Sequence, residues 1–152
     1  MDGARKFIQK CKKDFIFIVI SGTPWIFCEL AKKALDFDNY YSTNLLSFNK
    51  NNKLKGITGH KHGFEKDRIM IQILQFCGYE LNHSIAIGDS ENDFLMLNKA
   101  ELGILVGIDL RLSKSINVLN DRVIKLKTID FDEILLIIHN EFPYFFKNNL
   151  KF

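Results

Sequence analysis

The chain has 152 residues, 47% of them hydrophobic and 26% charged, with a formal net charge of +3. That length suits one domain with a single buried core, and the balance excludes a disordered chain. Scattered lysines leave no stripe dense enough to follow a nucleic-acid backbone, and the longest apolar run, Phe15 to Ile20, is too short to span a bilayer.

Residues 2–13 read as a short basic helix with Phe7, Ile8 and Cys11 on one side. Phe15 to Ile20 is continuously apolar and bounded by Ser21-Gly22, the mark of a strand buried on both faces of a parallel sheet. Pro24 suits a first helical turn, and Trp25, Ile26, Leu30, Ala31 and Leu35 recur at helical spacing. Tyr40 to Phe48 and Leu54 to Thr58 look extended around an Asn- and Lys-rich turn, a small β-hairpin excursion. Residues 65–77 form an amphipathic helix closed by Gly78.

A short buried strand follows over Ser84 to Gly88, then Asp89-Ser-Glu-Asn-Asp93 and a helical Phe94 to Lys99. A strand over Gly103 to Val106, a polar helix near 109–119, a strand over Arg122 to Leu126 and a helix from Asp130 to about His139 complete the pattern. This alternation predicts a doubly wound parallel α/β sheet. The reading divides the chain into an N-terminal helix over 1–13, a core over 14–140 and an aromatic tail over 141–152. Three cysteines without a Cys-x-x-Cys pair predict reduced thiols, with Cys28 and Cys77 buried in helices. With no signal segment after Met1, the expected compartment is the cytosol.

Ligands of an open parallel sheet bind beyond the carboxyl ends of its strands. Two polar clusters fall there, Ser21-Gly22-Thr23 and Gly88 to Asp93. A hydroxyl and amides before a helix make an anion site, although Ser and Thr there also serve as plain N-caps. Asp89 and Asp93, four apart at the mouth of the sheet, suit a hard cation such as Mg²⁺, or else an acidic turn capping the next helix. Lys66 opens a helix, where the dipole disfavours a cation, which hints at a task beyond surface solvation. His60 and His62 are assigned only loop polarity.

In this order the pieces resemble the haloacid dehalogenase superfamily, most closely its phosphoserine-phosphatase-like branch. The second motif is a strand ending in Ser21-Gly22-Thr23, the third is Gly-Phe-Glu-Lys66 opening a helix, and the fourth is Gly88-Asp89-Ser-Glu-Asn-Asp93. The resemblance covers about residues 14–126. It implies an Mg²⁺-dependent phosphomonoester hydrolase acting on a small phosphorylated metabolite, phosphoserine-like by default. Ser21 and the Gly22 amide would hold the phosphoryl group, and Lys66 would neutralise its charge. Asp89 would bind Mg²⁺ directly, and Asp93 would orient the metal shell. Such chemistry proceeds by positioning and electrostatics.

The family's first motif, Asp-x-Asp at the end of an apolar strand, supplies the nucleophile and the general acid-base. No such pair stands here. Asp36-Phe-Asp38 follows a helix and reads as a loop, Asp130-Phe-Asp132 leads into a helix with Asp130 as N-cap, and Asp2 has no strand before it. In the family the missing strand lies between those ending at Ser21 and Asp89, and a cap domain follows it. Segments 15–20 and 84–88 are therefore expected to be neighbours or near neighbours in one parallel sheet, pairing directly or flanking a strand from elsewhere. The chain reads as the downstream half of a longer gene, a split phosphatase served by an upstream fragment. The alternative is a non-catalytic phosphate- or Mg²⁺-binding remnant. A receiver-like signalling domain would need an acidic pair after its first strand and a late lysine, the reverse of the order here.

Overall fold

The computed structural model describes residues 2–59, 65–108, 112 and 115–143. His60, His62, Gly63 and Phe64, part of the polar helix expected near 109–119, and the end of the tail lie outside them. The chain forms two units, Met1–Lys61 with Asp130–Phe152, and His62–Ile129.

In the first unit, helix α1 (Asp2–Cys11) turns Phe7, Ile8 and Cys11 inward, as its spacing predicts. Phe7 stacks against Phe131 of the final helix α5 (Phe131–Glu141) with ring centroids 5.6 Å apart, so α1 packs on α5. Strand β1 (Ile18–Ser21) runs parallel to β2 (Asn39–Ser42), with Ile18 opposite Asn39 and Ser21 opposite Ser42. Helix α2 (Trp25–Leu35) connects them.

The expected hairpin is β3 (Asn44–Phe48) against antiparallel β4 (Leu54–Gly59). Its first extended piece is two strands, however. Thr43 breaks the run because its amide and hydroxyl both turn to the Ser21 carbonyl, at 2.9 and 3.3 Å. The residues before it are thereby held in the parallel pair, and those after it leave as the hairpin.

The burial expected of β1 needs correction. All four β1 residues are half-buried rather than buried on both faces, and among the described residues β1 has a strand partner on one edge only. On α2, Cys28 is buried, whereas Trp25, Ile26, Phe27 and Leu30 are exposed, Leu30 by 58%.

In the second unit, α3 (Lys66–Cys77) ends on Gly78 in the left-handed region (φ 75°), as expected. Cys77 is exposed, contrary to the sequence reading, since it lies in the last turn away from the buried Ile69 and Met70. Strands β5 (Ile85–Gly88), β6 (Leu102–Leu105) and β7 (Ile124–Lys125) form a parallel sheet in that order, with α4 (Phe94–Lys99) between β5 and β6. Central β6 is wholly buried. This is the parallel α/β architecture predicted. Among the described residues, β1 pairs with β2 and β5 with β6.

Candidate functional site

The carboxyl end of β1 is a latched turn. The Thr23 amide donates to Ser21 Oγ at 3.0 Å. The Ser42 hydroxyl donates to the Thr23 carbonyl at 2.6 Å, and the Asn44 side-chain amide donates to the Gly22 carbonyl. Helix α2 takes Pro24 as its N-cap, with no side-chain bond to its first amides. Ser21 and Thr23 are therefore not the ordinary side-chain caps that their position before a helix allows. No described residue accepts from the Gly22 amide. Ser42 and Asn44 were not singled out in the sequence, since polar residues in a strand-to-hairpin junction carry no spacing signal.

The second cluster is built on β5. At its carboxyl end, a Cβ added to Gly88 would lie 2.4 Å from Asp93 Cβ, so only glycine lets the Asp93 side chain fold back over the strand end. Both Asp93 carboxylate oxygens are engaged. Oδ2 accepts from the Asp89 amide (3.2 Å), the Ser90 amide (3.1 Å) and the Ser90 hydroxyl (2.8 Å). Oδ1 receives the Lys66 ammonium at 2.5 Å. The pair is largely dry, with side-chain exposures of 14% for Lys66 and 4% for Asp93. Lys66 is the first residue of α3, as expected, and this partner outweighs the mild cost of a cation at a helix start.

Asp93 is thus the cap of its own turn and the partner of Lys66 at once. Asp89 differs: it is exposed, and its carboxylate has no hydrogen bond or ion pair among the described residues. As oxygen ligands for Mg²⁺ the two are unequal. Asp89 fits a direct ligand, while Asp93, saturated by four donors, fits the orienting place. Two neighbours went unnoticed in the sequence. Asp67 is buried and receives the Lys99 ammonium at 2.6 Å, and the Ser115 hydroxyl donates to the Glu91 carboxylate.

Neither Asp-x-Asp pair sits at the carboxyl end of a strand. Asp36 caps the end of α2 in the left-handed region, and Asp38 accepts from the Phe17 amide at 2.8 Å, before β1 and β2 begin. Asp130 caps α5, accepting from the amides of Asp132 and Glu133, as predicted. Among the described residues no helix is long and apolar enough to cross a membrane.

The chain is thus an α/β protein with a cation-carboxylate pair beside an open carboxylate at the carboxyl end of a parallel strand. The sequence model of the haloacid dehalogenase-like hydrolase family matches residues 1–98, and the chain belongs to that family. It is similar to a phosphoserine phosphatase solved as a phospho-aspartyl intermediate analogue, with 27% identity and a TM-score of 0.73 over 89% of this chain and 62% of that one. An apo phosphoserine phosphatase gives 28% identity and a TM-score of 0.73, over 88% of this chain and 64% of the other. A probable phosphoserine phosphatase from Vibrio cholerae, at 20% identity and a TM-score of 0.64, covers 83% of this chain and 37% of its own, and shows the fold alone. The chain spans under two thirds of the length of these structures. No curated protein matches it in sequence.

Proposed function

We propose that the chain carries the phosphate- and Mg²⁺-binding part of a phosphoserine-phosphatase-like phosphomonoester hydrolase and does not turn over unaided. The observation that carries this reading is the dry Lys66–Asp93 pair beside the open Asp89 carboxylate at the end of β5. Lys66, held at one oxygen of Asp93, keeps donors for a phosphoryl oxygen. On motif resemblance, Ser21 and the Gly22 amide are the further phosphoryl-binding groups. Asp89 would hold Mg²⁺, and Asp93 would fix the loop that presents it. Bound there, the ion would offset charge on the phosphoryl oxygens.

The nucleophile must come from elsewhere, and we assign it to a separate segment that supplies an apolar strand with its aspartates. Support comes from β1, as apolar as fully buried β6 yet half-buried and paired on one edge. Exposed Phe27 and Leu30 on α2 suit a covering segment in the same way. The substrate is a small phosphorylated metabolite. A second reading, a phosphate-binding module without catalysis, is favoured by the placement of both Asp-x-Asp pairs away from strand carboxyl ends.

Titration calorimetry with orthophosphate in the presence of Mg²⁺ tests the binding. Wild type should bind, and Lys66→Ala and Asp89→Asn should each weaken binding about tenfold or more, the loss of ~1.4 kcal/mol of contact. Equal binding by all three proteins, or none by wild type, contradicts the reading.

A further inference from the structure

Two ion pairs tie the first turn of α3 to the segment after β5. Lys66 reaches Asp93, and the next residue, Asp67, receives Lys99 from the end of α4. Adjacent residues of opposite charge are thus matched by opposite charges on the facing segment. The Asp67 side chain is only 6% exposed, and its Oδ1 has no hydrogen-bond partner among the described residues. A buried carboxylate with an unfilled oxygen draws any ammonium within reach, because its own desolvation is otherwise uncompensated. Lys66 opens the same helical turn. Lys99, at 43% side-chain exposure, comes from the solvent side and can return there.

We propose that Lys99 is a positioning residue for Lys66. By neutralising Asp67 it removes a competing carboxylate and commits the Lys66 ammonium to Asp93, and so to the carboxyl end of β5. Its functional consequence rests on the reading of Lys66 as a phosphate-facing cation, but the positioning can be measured without phosphate. Competition predicts a distinctive pattern of variants. Lys99→Met leaves Asp67 and Asp93 contending for one ammonium. Asp67→Asn frees only Lys99, which swings into water. The double variant has no competing carboxylate and no need of Lys99.

The test is side-chain NMR of the full chain, following the cross-peak between the Lys66 ε-methylene and the Asp93 β-methylene protons, with circular-dichroism melting as the check on folding. Lys99→Met should more than halve the cross-peak, Asp67→Asn should leave it near wild type, and Asp67→Asn with Lys99→Met should restore it. A pair that only staples α3 to α4 would lose the contact in both single variants and at least as much in the double, which overturns the proposal. So does an unchanged cross-peak in folded Lys99→Met. Should Lys99→Met fail to fold, a folded double variant with the contact intact supports competition, and one without it, or unfolded, overturns it. Orthophosphate with Mg²⁺ added to wild type separates the two readings: unmoved Lys66 resonances would count against phosphate binding and leave the positioning result standing.

Discussion

Asp89 and Asp93 look equivalent as letters, two aspartates four apart, yet their surroundings divide them. Asp93 is buried under four donors, while Asp89 stands in water. Asp93→Asn leaves the largely buried Lys66 ammonium without its counter-charge, and chemical denaturation should show a loss of about 3 kcal/mol. Asp89→Asn should change stability by under ~0.5 kcal/mol, as for an exposed side chain with no partner. Equal losses would mean that the division of roles is wrong. Lys66, Asp89 and Asp93 stood out in the sequence through order and spacing, and the structure pairs Lys66 with Asp93 at the end of β5. The sequence hid Asp67 and Lys99, since a pair 32 positions apart leaves no local trace.

At the scale of elements, α1, α3, α4, α5 and the hairpin follow directly from periodicity and caps. Asp130 at the head of α5 and Gly78 at the foot of α3 are the signals realised most literally. The run from Tyr40 to Phe48 was opaque, because both of its halves are extended and only a tertiary bond from Thr43 to the Ser21 carbonyl separates them. The β5 turn depends on a close approach. Gly88→Ala would drive a methyl group into Asp93, so it should cost about 1–3 kcal/mol and weaken the Lys66 pair with it. Thermal melts together with the Lys66–Asp93 cross-peak check this. A neutral Gly88→Ala would show that the turn has room the geometry denies.

Over the whole molecule, the buried thiols set an alkaline limit. Burial, with a lesser push from the nearby Asp14 charge, raises Cys11 from 9.0 to about 11, and burial raises Cys28 in the same direction. The folded chain therefore keeps a proton that the unfolded chain releases. The Cys11 contribution is complete below about pH 9 and is lost as pH rises towards 11. Denaturant midpoints of wild type should fall over that window more steeply than those of Cys11→Ala, and parallel slopes would contradict the assignment.

The fold and family were legible because three motifs agree in order. The half-burial of β1 and the exposure of Trp25, Ile26, Phe27 and Leu30 on α2 were not, because an apolar pattern predicts an element and not what covers it. The proposal that this chain does not turn over unaided is tested most directly by turnover. Purified chain, assayed with Mg²⁺ on a generic aryl phosphate, should give no hydrolysis above the uncatalysed rate. Robust turnover abolished by Asp89→Asn would contradict it.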